Sequence, residues 1–135
     1  MTPFVWTEEM SVGDPEMDAQ HRQIIDLING FDDRMEPKVA FDAIMNMFRY
    51  AGTHFEAEEA LLQRVGYPQA LLEAQRLAHQ EFLSKASEFA GQRLDDYTLH
   101  IRIAAYVTRW LMSHILSEDM KYKPYVQGAA PLPHA

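Results

Sequence analysis

The chain contains no cysteine among its 135 residues. Disulfide frameworks, thiolate metal sites and cysteine nucleophiles are therefore excluded. Basic residues are scarce as well, with 12 Lys and Arg against 20 Asp and Glu and a formal net charge of −8. This acidic field repels nucleic acid and anionic membranes, and no local run of Lys and Arg overrides it. We therefore expect neither a nucleic-acid partner nor a membrane partner.

Long apolar runs are also missing. No stretch approaches the roughly 18 apolar residues that a membrane span needs. The first residues, "MTPFVWTEEM", lack the basic start and apolar run of a secretory signal. The length suits one domain, and a content of 47% hydrophobic and 24% charged residues is typical of a globular protein. We predict a soluble domain with a cytoplasmic location.

Amphipathic periodicity fills most of the remaining sequence. Pro and Gly punctuate residues 1–16, which we interpret as an N-terminal arm. Residues 121–135 are interpreted as a C-terminal tail, in which the stretch "YVQGAAPLPHA" is rich in Pro and Ala and is predicted to be loose. Residues 17–120 predict four helices, at about 17–35, 38–64, 68–91 and from after "LDD" to about 119. Gly66 is expected to cap the second helix in a left-handed conformation. Short connections favour antiparallel neighbours, so the predicted fold is an all-α, up-down antiparallel four-helix bundle.

Each predicted helix carries at least one histidine on its apolar stripe. The stretch "HFEAE" adds a carboxylate, because Glu58 follows His54 at helical spacing. A lone buried histidine is usually an ordinary core residue, but a buried carboxylate without a partner costs several kcal/mol. Several imidazoles together with a carboxylate therefore favour a metal site over a plain core.

Height along the helices separates these histidines into two layers. At about 1.5 Å per residue, an antiparallel bundle collects one set near the same end of the core. That set comprises His21, His54, Glu58, His79 and His114. His100 lies roughly 21 Å from His114 along the fourth helix and is predicted to be structural, as is His134 in the tail. Asp119 is about 140° off the face of His114, but a loosened helix terminus would bring it in as a second carboxylate. Such a donor set suits iron, zinc or manganese.

The motifs "DAQH", "HFEAEE", "HQEF" and "HILSED", together with "WLMSH" and "FVW", resemble the hemerythrin family, specifically single-domain bacteriohemerythrins. The resemblance covers about residues 4–125. It implies a bundle that holds two non-haem iron ions joined by an oxo or hydroxo bridge, with dioxygen as an exchangeable ligand. It also implies ligand roles: Glu58 and Asp119 bridge the two irons, His21 and His54 bind the iron with the open position, and His79 and His114 bind the other.

One position departs from the family pattern. In "QRLAH", Gln75 stands where the family has a further histidine. A glutamine oxygen is a poorer donor than imidazole, although it binds hard cations. Four outcomes stay open: Gln75 ligates weakly, water or an anion fills the position, the second iron binds loosely, or Gln75 only hydrogen-bonds a neighbour at a vestigial site.

For several neighbouring residues, two structural roles are compatible with the sequence. Glu59 either hydrogen-bonds a ligand imidazole or faces solvent. A set of apolar residues either lines the ligand pocket or forms plain core: Met17, Ile24, Phe55, Trp110 and Leu111.

Three functions compete. The first is a dioxygen-binding protein that acts in oxygen transport, storage, delivery or sensing, with a redox protein or an oxygen-using enzyme as partner. The second is a peroxidase-like or NO-handling redox activity on the same scaffold. The third is metal storage or a purely structural bundle. We favour a binding protein over an enzyme, and we expect a monomer.

Overall fold

The computed structural model describes residues 4–32, 34–91 and 99–128, and these residues contain helices and turns but no strand. The four main helices are α1 (Pro15–Asn29), α2 (Pro37–Arg64), α3 (Gln69–Ala90) and α4 (Leu99–Ser113). The predicted all-α four-helix bundle is confirmed. In the described part of the chain, no helix combines the length and the apolar character needed to cross a membrane.

Local sequence signals set the helix ends. The Asp14 side chain accepts a hydrogen bond from the Met17 amide (2.9 Å) at the start of α1, where Pro15 loses nothing by lacking an N–H. At the end of α2, Gly66 has φ +75° and the Tyr67 amide donates to the Leu62 carbonyl at 3.0 Å. This is the left-handed cap predicted for Gly66.

The first helix is shorter than predicted. It ends at Asn29 instead of near residue 35. Asn29 and Gly30 are poor helix formers, and the Asp32 side chain accepts a hydrogen bond from the Arg34 amide at 2.9 Å. That local turn offers the backbone an alternative to the helix. The predicted start of the fourth helix, after "LDD", lies outside the described residues.

Two apolar clusters form the core. The larger cluster contains buried residues of the first, second and fourth helices and Phe82 of α3, among them Ile24, Ile28, Ile44, Met47, Ile103 and Val107. The smaller cluster lies at the other end and consists of Val12, Met17, Leu61, Leu62, Tyr67, Leu72 and Tyr122. On α1, His21 falls between Met17 of the smaller cluster and Ile24 of the larger one. A polar layer therefore separates the two clusters.

Residues flanking the bundle join the smaller cluster. The Val12 amide donates to Asp18 Oδ1 at 2.9 Å, and the Ser11 hydroxyl donates to Oδ2 of the same carboxylate at 2.6 Å. These bonds fix the arm on α1. At the other terminus, Tyr122 is fully buried and Lys123–Val126 forms a short helix. The buried Tyr122 ring therefore fixes the first residues of the predicted tail on the bundle.

Candidate metal centre

Six side chains meet in the polar layer and form two overlapping groups. One group contains His21, His54, Glu58 and Asp119, and the other contains Glu58, His79, His114 and Asp119. Within each group the candidate ligand atoms all lie within 4.8 Å of one another, and every member is buried. The two carboxylates belong to both groups. The structure therefore brings together all six residues that the sequence singled out.

Each carboxylate turns one oxygen toward each group. Asp119 Oδ2 lies 3.2 Å from His21 Nε2, and Asp119 Oδ1 lies 3.3 Å from His114 Nε2. Glu58 Oε2 lies 3.4 Å from His21 Nε2, and Glu58 Oε1 lies 3.2 Å from His79 Nε2. His54 Nε2 lies 3.5 Å from Glu58 Oε2. This is the arrangement that two carboxylates need to bridge a pair of cations.

A widened helical turn brings Asp119 onto the face of His114. The five residues His114–Glu118 form a π-helix, and the Asp119 amide donates to the His114 carbonyl. In a π-helix each hydrogen bond spans five residues, so residues five apart lie one above the other. The loosened helix terminus expected from the sequence is therefore present, and it has a defined geometry.

Outer hydrogen bonds orient two of the imidazoles. His54 Nδ1 lies 2.6 Å from Gln20 Oε1, and His79 Nδ1 lies 2.7 Å from Glu59 Oε2. Each contact makes Nδ1 the donor, which directs Nε2 toward the carboxylates and raises the basicity of the ring. Of the two readings for Glu59, the structure supports the hydrogen bond to an imidazole. Gln20 was missed, although it directly precedes His21 in "DAQH".

Gln75 lies beside the second group and contacts two of its members. Its amide nitrogen donates to Asp119 Oδ1 at 3.1 Å, and its Oε1 lies 2.8 Å from His114 Nε2. The side chain is buried and faces the site, as its position on the stripe predicts. These hydrogen bonds place Gln75 against the candidate ligands, and the four outcomes expected for it stay predictions. A cavity of about 40 Å³ reaches Gln75 and His114 from the side of Tyr67 and Lys121.

Tyr122 is a site residue that sequence reasoning did not find. Its hydroxyl donates to Glu58 Oε2 at 2.7 Å. Burial and the nearby Glu58 carboxylate raise its pKa, so the phenol remains a donor. A signal was present, because Tyr122 lies three residues after Asp119, but the sequence was interpreted as tail from residue 121.

Aromatic rings wall off the second group. The Phe55 ring stacks on His79 at 3.8 Å between centroids, and Trp110 stacks on His114 at 4.6 Å. Met17, Ile24 and Leu111 are buried in the adjoining apolar clusters. Phe55 and Trp110 thus line the site as well as belonging to the core.

The carboxylates are held in their charged form. Burial opposes charge, but the surrounding imidazoles outweigh it and hold the pKa of Glu58 well below its usual value. The pKa of Asp119 is also lowered, because His114 and His21 outweigh burial and the repulsion of Glu58. Conversely, Asp119 and Glu58 overcome burial and raise the pKa of His21 to about 10. The two buried carboxylates of the polar layer therefore need positive charge nearby to balance them.

The donor set fits a cation. Five buried atoms of this layer have no hydrogen-bond partner in the structure: Nδ1 and Nε2 of His21, Nε2 of His54, Oε1 of Glu58 and Oδ2 of Asp119. All except Nδ1 of His21 belong to the pairs of facing atoms described above. Leaving such atoms unpaired is costly, whereas a divalent transition metal is satisfied by imidazole nitrogen and carboxylate oxygen.

The remaining histidines stay outside the layer. His100 is buried but belongs to neither group, in agreement with its predicted separation. His134, which was predicted to lie in the tail, is outside the described residues.

A four-helix bundle with a buried layer of imidazoles and two shared carboxylates is typical of metal-binding bundles, and this chain has both features. Comparison with known proteins narrows this class. Residues 12–126 match the family model "Hemerythrin HHE cation binding domain". The chain therefore belongs to the hemerythrin family.

Relatives of similar length share this assignment. The chain is 27% identical to a bacteriohemerythrin of Stenotrophomonas maltophilia (strain R551-3), over 95% of this chain and 84% of that protein. It is 29% identical to a bacteriohemerythrin of Clostridium acetobutylicum, over 88% of this chain and 98% of that protein. A hemerythrin-like protein of Naegleria gruberi is also 29% identical, over 90% and 92% of the two chains.

Proposed function

We propose that the polar layer binds two non-haem iron ions and that the chain is a dioxygen-binding protein. The observation that carries this proposal is the pair of overlapping ligand groups, because Glu58 and Asp119 each direct one oxygen to either group. When bound, two irons supply the two electrons that reversible dioxygen binding requires. The family membership supports iron as the metal.

The residues divide the work as follows. His21 and His54 serve one iron and His79 and His114 the other, while the two carboxylates join them. Gln20 and Glu59 hold His54 and His79 in the orientation that presents Nε2. Phe55 and Trp110 keep water away from one side. A dry, preorganised pocket limits the loss of electrons to side reactions.

The first group is the side on which we place dioxygen. It has two imidazoles and the two shared carboxylates, and no other His, Asp or Glu of the described residues belongs to it, so we expect an open position there. The second group has two imidazoles and the amide of Gln75. Because an amide oxygen is a weak donor, we expect the second iron to be held less tightly than a third imidazole would hold it.

Gln75 also favours a second candidate function. The cavity of about 40 Å³ beside Gln75 and His114 is large enough for one water molecule or a small ligand. Access of such ligands to the second group would favour peroxidase-like or NO-handling chemistry over stable oxygen carriage. This alternative depends on Gln75 alone.

One experiment separates these possibilities. The chain is reconstituted anaerobically with ferrous iron, its iron content is measured, and it is titrated with dioxygen while the optical spectrum is recorded. Close to two irons per chain and a spectrum that reverses under vacuum support oxygen binding. Steady consumption of hydrogen peroxide with a reducing co-substrate supports the redox alternative, and a chain that retains no iron contradicts both.

Replacement of Gln75 by histidine tests the departure itself. We expect Gln75→His to retain iron more tightly against a chelator and to oxidise more slowly in air. Gln80→His is the matched control, because Gln80 is exposed on the same helix. Unchanged iron retention and oxidation rate would mean that Gln75 has no consequence for the centre.

A further inference from the structure

A second buried site lies at the opposite end of the bundle from the metal centre. A cavity of about 440 Å³ opens between the end of α1, the start of α2 and the first half of α4. Phe4, Phe31, Met35 and Ile44 provide apolar walls, and the small side chains of Ala40 and Ala104 leave the room. Its volume falls in the range of roughly 300–1,000 Å³ that is usual for small-molecule pockets.

Two buried polar side chains line this cavity and have no hydrogen-bond partner among the residues that the structure describes. His100 is 5% exposed, and both of its ring nitrogens lack a hydrogen bond. Thr108 is 8% exposed, and its hydroxyl oxygen also lacks one. Each unpaired group destabilises the fold unless something in the cavity bonds to it. Their separation of eight residues along α4 corresponds to roughly 12 Å, so they mark two distant points of an elongated site.

The Thr108 end of the cavity is bordered by a positively charged side chain. Arg109 lines the cavity next to Thr108, and its exposed side chain makes no ion pair with any other described residue. The acidic Asp32 also borders the cavity, but it follows α1 and pairs with Arg34 at 3.4 Å. The Thr108 end therefore suits an anion, whereas the His100 end offers imidazole nitrogens that can hydrogen-bond a hydroxyl.

We propose that this cavity binds an elongated carboxylic acid with an apolar middle and a hydroxyl at its far end, a medium-chain hydroxy fatty acid. The carboxylate accepts hydrogen bonds from Arg109 and the Thr108 hydroxyl. The methylene chain fills the space beside Ala104 and Ile44, and the terminal hydroxyl pairs with His100. The Thr108 hydroxyl and one ring nitrogen of His100 are then hydrogen-bonded, and the apolar surface of the cavity is covered.

Isothermal titration calorimetry on the full iron-loaded chain tests the proposal with three probes of the same chain length: ω-hydroxydecanoate, decanoate and decylamine. We expect saturable binding in the micromolar range in that order of affinity, with decylamine the weakest. Arg109→Gln should weaken both acids about tenfold, because it removes one charge-assisted hydrogen bond. Arg49→Gln is the control, since Arg49 is an exposed arginine outside the cavity and should leave binding unchanged.

Two further variants examine the interior. His100→Leu should abolish the preference for ω-hydroxydecanoate over decanoate while decanoate still binds. Ala104→Phe should fill the cavity and remove binding of both acids, provided that circular dichroism shows a folded chain. Arg109→Gln changes an exposed side chain and keeps the test decisive if Ala104→Phe fails to fold.

Several results would overturn the proposal. One is the absence of saturable binding, and another is equal affinity for decylamine and decanoate. A third is a change in the optical spectrum of the iron centre that acetate reproduces, since this would place the carboxylate at the metals. Unaltered affinity in Arg109→Gln would equally exclude the assigned orientation.

Discussion

The two ends of the bundle bury histidines on the same kind of helical stripe, yet their surroundings differ. At one end His21 lies within 3.4 Å of oxygens from two carboxylates, and its neighbours are held by Gln20 and Glu59. At the other end His100 has no hydrogen-bond partner and borders a largely apolar cavity. The two ends therefore differ in whether buried carboxylates face the imidazole, as they do at the candidate metal centre.

The difference has an electrostatic basis. Buried carboxylates favour a positive charge beside them, and Asp119 and Glu58 therefore raise the pKa of His21 despite its burial. Among the described residues, no buried carboxylate lines the cavity beside His100. The predictions below test this contrast, and they run from the largest expected effect to the smallest.

Glu58→Gln should abolish metal binding at the carboxylate end. The substitution keeps the size of the side chain but removes the charge that both ligand groups share. Iron per chain after anaerobic reconstitution should fall close to zero. The control Glu56→Gln alters an exposed residue of the same helix and should bind iron normally. Normal iron content in Glu58→Gln would show that the shared carboxylate is dispensable.

Glu59→Gln should weaken the metal centre without destroying it. Glu59 touches His79 at Nδ1, on the side of the ring that faces away from the cation. Loss of such outer partners typically reduces metal affinity 10–100-fold, which roughly corresponds to 1.4–2.7 kcal/mol. Competition with a chromophoric chelator measures this change, again with Glu56→Gln as the reference. If the two variants compete equally, the contact with His79 contributes nothing to affinity.

Tyr122→Phe should destabilise the fold by about 1–3 kcal/mol, because the buried Glu58 loses a hydrogen-bond donor. Urea unfolding of the metal-loaded protein gives the free energy directly. Tyr125→Phe serves as the control, since Tyr125 is only half-buried and contacts the ring of Tyr67. A loss of the same size in the control would assign the effect to ring packing and not to Glu58.

The sequence predicted the candidate ligands better than the residues that hydrogen-bond to them. Stripe spacing and height along the helices together predicted five of the candidate ligand residues: His21, His54, Glu58, His79 and His114. Asp119 does not fit that α-helical spacing. It reaches the layer because the π-helix over His114–Glu118 brings it onto the face of His114. Gln20 and Tyr122 obey no such period, because their contacts depend on how neighbouring segments pack against the bundle.

The fold likewise has parts that the sequence predicted and parts that it did not. Four amphipathic helices and the Gly66 cap were predictable, because both rest on local chemistry. The early end of α1 at Asn29 was not, since the apolar residues Phe31 and Met35 continue the stripe beyond the helix. Those two side chains line the apolar cavity instead. A hydrophobic pattern specifies which residues are buried more firmly than which backbone they adopt.

His100→Leu should give the smallest effect, and its sign should be opposite to that of the others. Burial of an imidazole with two unpaired nitrogens costs about 1–3 kcal/mol, and leucine fills similar space without that cost. In fatty-acid-free buffer, the variant should therefore melt a few degrees higher than the parent and keep its full iron content. His21→Leu, the same substitution at the other end, should lose iron and melt lower. A lower melting temperature for His100→Leu would mean that this histidine stabilises the fold, and the contrast between the two ends would fail.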